Sequence, residues 1–425
     1  MQVLVIGQGG REHALCWKLR ASQFVSEVYC APGNPGTSQV AVNVPVNADD
    51  LQGLVDFACR KKIDLTVVGP EQPLMLGVAD AFRNAGLLIF GPSQQAAQLE
   101  GSKAFAKKIM RAAGVPTADY VTFRDQKSAR DYILEHGVPI VIKADGLAAG
   151  KGVFVCQSLS EAEAALETVF HGLGQSAVVV EDFLSGKEAS FIVVTDGERV
   201  YPLATSHDYK RVGDGDEGPN TGGMGAVSPT PHLTAEQERW VAAHVVRPVL
   251  EEMRRRGTPF SGFLYAGLMI DEQDDIRVLE FNVRCGDPET QVILRRMPGD
   301  LCELLYALAA GKPVPSTFEC EGGGAAVCVV LAAEGYPQHV IKGDEIFGLD
   351  EADELPGVVV FHAGTAQDAG QRLCTKGGRV LCVSAEGREV EEARRRAYEA
   401  VRRISFRGMH YRSDIGQVNL STEAS

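Results

Sequence analysis

Four short apolar runs in the first hundred residues, each closing on glycine or a glycine–proline pair, restrict this chain more than any other feature of its sequence. They are VLVIG (3–7), VYCAPG (28–33), DLTVVGPE (64–71) and LLIFGP (87–92), with helical patterns near 11–21, 51–60 and 77–85 between them. Continuous apolar runs of this length suit strands buried on both faces. Their alternation with helices predicts a small parallel, doubly wound sheet. Such sheets bind ligands at the carboxyl ends of their strands, where these glycines lie.

The first turn reads Gly7-Gln8-Gly9-Gly10-Arg11-Glu12. Glu12 stands where the third glycine of a dinucleotide fingerprint would let helix pack closely on strand, which argues against NAD. The turn could still offer N–H groups to a phosphate, with Arg11 adding charge. A tight turn with no ligand is the plainer alternative.

A length of 425 residues suggests about three domains. With 45% hydrophobic and 23% charged residues, neither disorder nor a fibrous repeat fits. The net charge of −14 opposes a general nucleic-acid binder but leaves room for small phosphorylated ligands held by local lysines. The longest smooth apolar stretch, 322–333, is too short to span a bilayer, and no secretory signal pattern is present. Ten scattered cysteines without a C-x-x-C pair are expected to be reduced. These readings predict a cytoplasmic protein.

Past residue 102 the texture changes. PIVIKADGLAAGKGVFVC (139–156) places a Gly/Ala-rich loop between two strand-like runs. It is not a P-loop: Gly146 and Gly150 enclose three residues rather than four, Gly152 follows Lys151, and no helix follows. A flap closing over a nucleotide fits better. Lys143 lies inside an apolar strand and needs an anionic partner there, for which a phosphate is favoured over snorkelling from a sheet edge. In VVVEDFLSGKEASFIVV (178–194), Glu181 and Glu188 stand out. Between 213 and 225 six glycines exclude helix and ordinary strand. With Lys210, Arg211, Asp214, Asp216 and Glu217 at hand, this is expected to be a mobile substrate loop.

IRVLEFNVRCGDPETQ (276–291) carries the sharpest signal. Alternation puts Glu280, Asn282 and Arg284 on one face and Leu279, Phe281 and Val283 on the core face. Two hard oxygens two residues apart suit Mg²⁺ shared with substrate phosphates.

Lys103 in GSKAF, Lys143, Glu181, Glu188 and the E-F-N of 280–282 together resemble the ATP-binding set of the ATP-grasp superfamily. Within it, VLVIGQGGREHAL, APGNPGT, VGPEQPL, QLEGSKAF, IKADGLAAGKGV, GPNTGGMGA and EFNVRCGDPETQ, in this order, resemble the glycinamide ribonucleotide synthetase family over almost the whole chain. The resemblance implies a multidomain α/β ATP-grasp fold: a Rossmann-like domain (1–102), an ATP-grasp domain (103–322, flap about 115–185) and a small α+β domain (323–425). It implies ligation of glycine to 5-phosphoribosylamine through glycyl phosphate, with another small carboxylate as the alternative substrate. ATP would be held by Lys103, Lys143, Gly150, Lys151, Gly152, Glu181, Phe183, Leu184 and Glu188. Glu280 and Asn282 would hold Mg²⁺ or Mn²⁺. Substrate binding would fall to Gly9, Gly10, Arg11, Glu12, Asn34, Glu71, Lys210 and Gly286, and catalysis to Arg284, Asp287 and Asp214. Many superfamily members carry a second metal carboxylate on the preceding strand, but Leu268 stands near that place, which leaves the metal set at two protein ligands or brings in Asp271 or another acid.

The last hundred residues read as a separate module with three strands and a charged helix at 388–403, and no catalytic cluster. No nucleic-acid or membrane partner is expected, and the protein should be a monomer or weak homo-oligomer. A non-catalytic nucleotide sensor, the reading from another class, is opposed by the intact set Lys103, Lys143, Glu280 and Asn282.

Overall fold

The computed structural model describes residues 1–146 and 152–417. Strands β1 (Gln2–Gly7), β2 (Glu27–Pro32), β3 (Val42–Asn43), β4 (Leu65–Val68) and β5 (Ile89–Phe90) form a parallel sheet in the order β3-β2-β1-β4-β5. The four expected strands are there. The fifth, β3, spans two residues and carries no readable pattern. The helix expected near 77–85 is Val78–Asn84, and a further short helix, Glu71–Leu76, precedes it, the two separated at Gly77, whose φ of +90° suits a residue without Cβ.

Beyond the helix Lys103–Ala112, a second unit is built from β6 (Tyr120–Phe123), β7 (Ile140–Ala144), β8 (Val153–Cys156) and β9 (Val178–Asp182), antiparallel in the order β6-β9-β7-β8. The flap loop expected between β7 and β8, with Gly150 and Lys151, lies outside the described residues. Gly152, at its far end, accepts from Ala144 N through its carbonyl at 2.8 Å.

Strands β10 (Lys187–Thr195), β11 (Val200–Pro202), β12 (His207–Asp208), β13 (Arg211–Gly213), β14 (Glu217–Asn220), β15 (Gly225–Ser228), β16 (Gly262–Ile270) and β17 (Ile276–Asn282) follow. Of these, β11-β10-β16-β17 make the central antiparallel sheet. The β16–β17 ladder slips by one residue: Gly267 faces Glu280 but Leu268 faces Val278. That bulge reverses the alternation. Val278 joins the core with Phe281 and Val283, while Leu279 turns toward the cavity instead of the core.

The remaining strands are β18 (Ala325–Ala332), β19 (Val358–His362), β20 (Thr365–Gln367), β21 (Leu373–Thr375) and β22 (Arg379–Gly387), with the helix Val390–Val401 packed on β18 and β22. This is not a self-contained module. Its sheet runs β12-β15-β18-β22-β19, so two of its five strands come from the middle of the chain. It also docks on the first sheet's opening helix, where the buried rings of His13 and His362 meet edge-on at 5.8 Å and His13 Nδ1 accepts from His362 N at 2.8 Å. No helix among the described residues is long and apolar enough to cross a membrane.

Candidate active site

A cavity of about 1580 Å³ lies where the four units meet, lined from the first sheet by Arg11 and Glu71, from the flap unit by Lys143 and Glu181, from the central sheet by Glu280 and Asn282, and from the last unit by Arg379. Lys103, at the start of its helix, donates to Gly146 O at 3.1 Å, at the root of the flap. Lys143 sits on an inner strand and is buried, so it does not snorkel. Glu181 lies beside it as an anionic partner, at 2.6 Å, and it also donates to the bulged Leu279 carbonyl at 3.1 Å. Glu181 takes a second cation, Lys107, also at 2.6 Å, which sequence reasoning did not single out. Burial pushes the Lys107 ammonium below its usual range. Phe183 and Leu184 lie on the link between β9 and β10 that edges the same cavity.

Glu280 is the focus of this charge. Burial works to raise its carboxyl, but Lys210, Lys143, Lys103 and Arg284 reverse the effect and hold it below its ordinary value. Several cations converging on one carboxylate leave positive potential suited to a polyphosphate. Asn282 Oδ1 accepts from Arg284 Nη2 at 3.1 Å. Among the described residues no three His, Cys, Asp or Glu side chains are arranged to hold a metal by themselves. The two oxygens of Glu280 and Asn282 nonetheless fit a divalent cation whose other positions belong to phosphates and water. The extra acid sought opposite Glu280 is absent there: Gly267 is its partner, Leu268 points into the core, and Asp271 caps the turn by accepting from Gln273 N and Asp275 N.

Arg284 bridges Glu71 at 3.3 Å and Glu100 at 3.0 Å. Asp287 accepts from Gln291 at 2.7 Å and pairs at 3.2 Å with Arg379, which also grips the Asp287 and Gly222 carbonyls. The last unit, read from the sequence as carrying no catalytic cluster, thus supplies an arginine to the cavity. Lys210 pairs with Glu188 at 2.5 Å, so this acid, one of the residues expected to hold ATP, already has a cation beside it.

Several residues expected to bind substrate also hold the fold together. Gln8 N and Gly9 N, the amides expected to face a phosphate, donate to Glu12's own carboxylate at 3.2 and 2.5 Å. Arg11 is paired with Glu12 at 2.5 Å and donates to Cys285 O at 3.2 Å. A side chain on Gly10 would strike Gln291 and Cys382 within 3.0 Å, so this glycine is dictated by packing. Asn34 has all four side-chain bonds occupied: it donates to Gln8 O and His362 O and accepts from Gly36 N and Thr37 N. Gly286 makes room for Glu289, whose carboxylate would lie 2.3 Å from an added Cβ. Asp214 borders the cavity and accepts from Ser413 N and Oγ, one on each oxygen. The stretch expected to be mobile is a hairpin, β13 paired with β14.

Two carboxylates without a sequence signal complete the site. Asp208 ends β12 with its buried Oδ1 unpartnered among the described residues. Burial, and then the charge of Glu289, drive its carboxyl well above the usual range. Glu289 is buried beside Ser190 Oγ, at 3.3 Å, which in turn contacts Tyr265 OH at 2.9 Å.

Compared with known families, residues 1–100, 101–290 and 326–418 match the N, ATP-grasp (A) and C domains of phosphoribosylglycinamide synthetase. The phosphoribosylamine–glycine ligase of Vibrio vulnificus is 52% identical over 429 residues, covering 100% of this chain and 99% of that protein. The enzyme of the same name from Escherichia coli is 51% identical, with 98% of each covered. Among solved structures, phosphoribosylamine–glycine ligase from Thermotoga maritima superposes with a TM-score of 0.84 at 35% identity, covering 97% of this chain and all of that one. The biotin carboxylase domain of Hydrogenobacter thermophilus 2-oxoglutarate carboxylase shares the fold (TM-score 0.74, 20% identity, 96% and 91% covered).

Proposed function

The chain belongs to the phosphoribosylglycinamide synthetase family, and from that premise we propose how its side chains divide the work of joining glycine to 5-phosphoribosylamine. The activity is the family's: an ATP-dependent phosphoribosylamine–glycine ligase of purine biosynthesis, drawing on a divalent metal. Mg²⁺, or Mn²⁺ in its place, is the fit for Glu280 and Asn282, and it supplies charge neutralisation between the phosphates. Lys103, Lys143 and Lys210 hold the polyphosphate, and Glu188 meets the ribose. Phe183 and Leu184 border the adenine.

The glycine carboxylate attacks the terminal phosphorus, ADP leaves, and the acyl phosphate forms. The ribosylamine nitrogen then attacks the acyl carbon, phosphate departs and the nitrogen loses one proton. Arg284, held by Glu71 and Glu100, is aimed at the glycine carboxylate, and Asp287, held by Arg379 and Gln291, at the incoming amine. The observation that carries the choice of glycine is the pair Asp208 and Glu289. Two acids at the cavity, one with a buried oxygen left unpartnered, are relieved by an ammonium placed between them, and an α-amino acid brings that ammonium beside its carboxylate. Formate and bicarbonate have none. The protein is expected to be cytoplasmic, a monomer or weak homo-oligomer, without nucleic-acid or membrane partners.

The test measures ADP release with glycine, formate or bicarbonate, each with and without phosphoribosylamine generated in place. Release should need glycine. Asp208→Asn should raise the glycine KM at least ten-fold and leave that of ATP nearly unchanged. Equal use of formate, or an unaltered glycine KM, would sink this assignment.

A further inference from the structure

Arg412, Ser413, Asp414 and Gly416 line the cavity, and residues 410–416 are tied to the first strand and turn of the 211–220 hairpin. His410 is anchored to β18 by paired backbone bonds with Ala332, at 2.7 and 3.0 Å, and its Nε2 meets Val212 O at 2.8 Å. Ser413 holds Asp214, Gly215 N donates to Asp414 at 2.9 Å, and Gly416 N donates to Tyr209 OH at 3.1 Å. Arg412 is the centre of the clasp. Only 1% of its side chain is exposed, and its guanidinium forks onto Asp414 at 2.8 and 2.7 Å and reaches Asp216 at 2.7 Å and Arg211 O at 3.2 Å. The same guanidinium lies 5.0 Å from the centre of the Tyr209 ring. A two-stranded hairpin with glycines at 213, 215 and 218 is marginal alone, so these bonds decide where it stays.

The hairpin's base carries the chemistry. Thr221 N and Oγ1 both donate to Lys210 O at 2.8 Å, closing the base next to Asp208 and Lys210. Arg412, Asp216 and Lys210 all line the same cavity. We infer that Arg412 is a positioning residue of the ligation, acting through the hairpin to keep Asp208 and Lys210 on the substrates and water away from the acyl phosphate. The inference rests on the function proposed above. If water reached the intermediate, its oxygen would add to the acyl carbon, phosphate would leave, and glycine would be regenerated with one ATP consumed and no amide made.

The experiment counts ADP released per amide formed in the full-length protein. Wild type should give one. Arg412→Ala should release three or more ADP per amide and raise the glycine KM several-fold, and Arg412→Lys, which keeps the charge but not the fork, should fall between. A purely structural role would lower ADP and amide together, so a ratio of one in a folded Arg412→Ala protein overturns the inference. Should that variant fail to fold, Asp216→Asn and Ser413→Ala, which each remove single contacts, are scored by the same ratio. If wild type itself releases no ADP in response to glycine and the amine, the ligase assignment falls, a result distinct from a ratio of one.

Discussion

At the scale of single residues, the site divides into side chains whose surroundings could be read from the chain and side chains brought in from afar. Glu280 and Asn282 were legible because alternation at a period of two, running straight into a Gly-Asp-Pro turn, sets a carboxylate and an amide oxygen on one face of a strand. Leu279 was misplaced because one bulged residue in the partner ladder reverses that alternation, and nothing in the strand's own sequence marks it. Lys107 looks like any helical lysine until β9 brings Glu181 to 2.6 Å from it. Asp208, Glu289 and Arg379 gain meaning only from contacts across more than eighty positions of sequence. Glu280→Gln is expected to fold like wild type, since the change is nearly isosteric, and to lose roughly 100-fold or more in turnover with the loss of metal-borne charge stabilisation. Steady-state ADP release beside a thermal melt checks it. Turnover within a few-fold of wild type would take Glu280 out of the mechanism.

At the scale of elements, the opening turn shows how one residue can decide what a strand–turn–helix accepts. Glu12 fills the space over Gly7 and Gly69, where an added Cβ on either glycine would lie within 2.6 Å of its side chain. It caps the helix Gly10–Arg20 from inside, so the amides a dinucleotide would use are already satisfied. The departure from the fingerprint was visible in the sequence. That the carboxylate replaces the ligand was not, because it depends on the rotamer. Glu12→Gly, which restores the motif, should still give no NAD binding, because Gln291 and Cys382 pack closely against Gly10, and should cost about 3–5 kcal/mol, since Arg11 is left buried without its partner. Denaturant melts and a fluorescence titration with NADH measure the two halves of this prediction, and tight NADH binding would refute it. The hairpin was missed for a similar reason: six glycines argue for looseness, but the partners that fix them lie two hundred residues downstream.

At the scale of the molecule, the docking of the first and last units rests on neutral histidines. Burial lowers His13 to about 3 and His362 to about 4, from an ordinary value of 6.5. Both folded values are depressed, so below 6.5 the unfolded chain binds more protons and stability falls as pH falls toward those values. Between pH 7 and pH 5 the two together should remove roughly 4 kcal/mol, about 2 from each. Urea unfolding at the two pH values measures this, and His13→Phe should flatten the dependence by about half if the fold is kept. Three units were legible in the sequence because each carries its own run of strands and helices. The shared sheet was not, because β15, at four residues, is too short to announce a partner about a hundred residues away. That sharing sets an order of events on the ribosome. β15 is made before β18, and at about 5–20 residues per second its edge waits roughly 5–20 s for the strand that covers it. During that interval the nascent chain presents an unpaired apolar edge, a natural holding point for a chaperone, and synonymous codons that slow translation between 228 and 325 should lower the yield of soluble protein without altering a single residue.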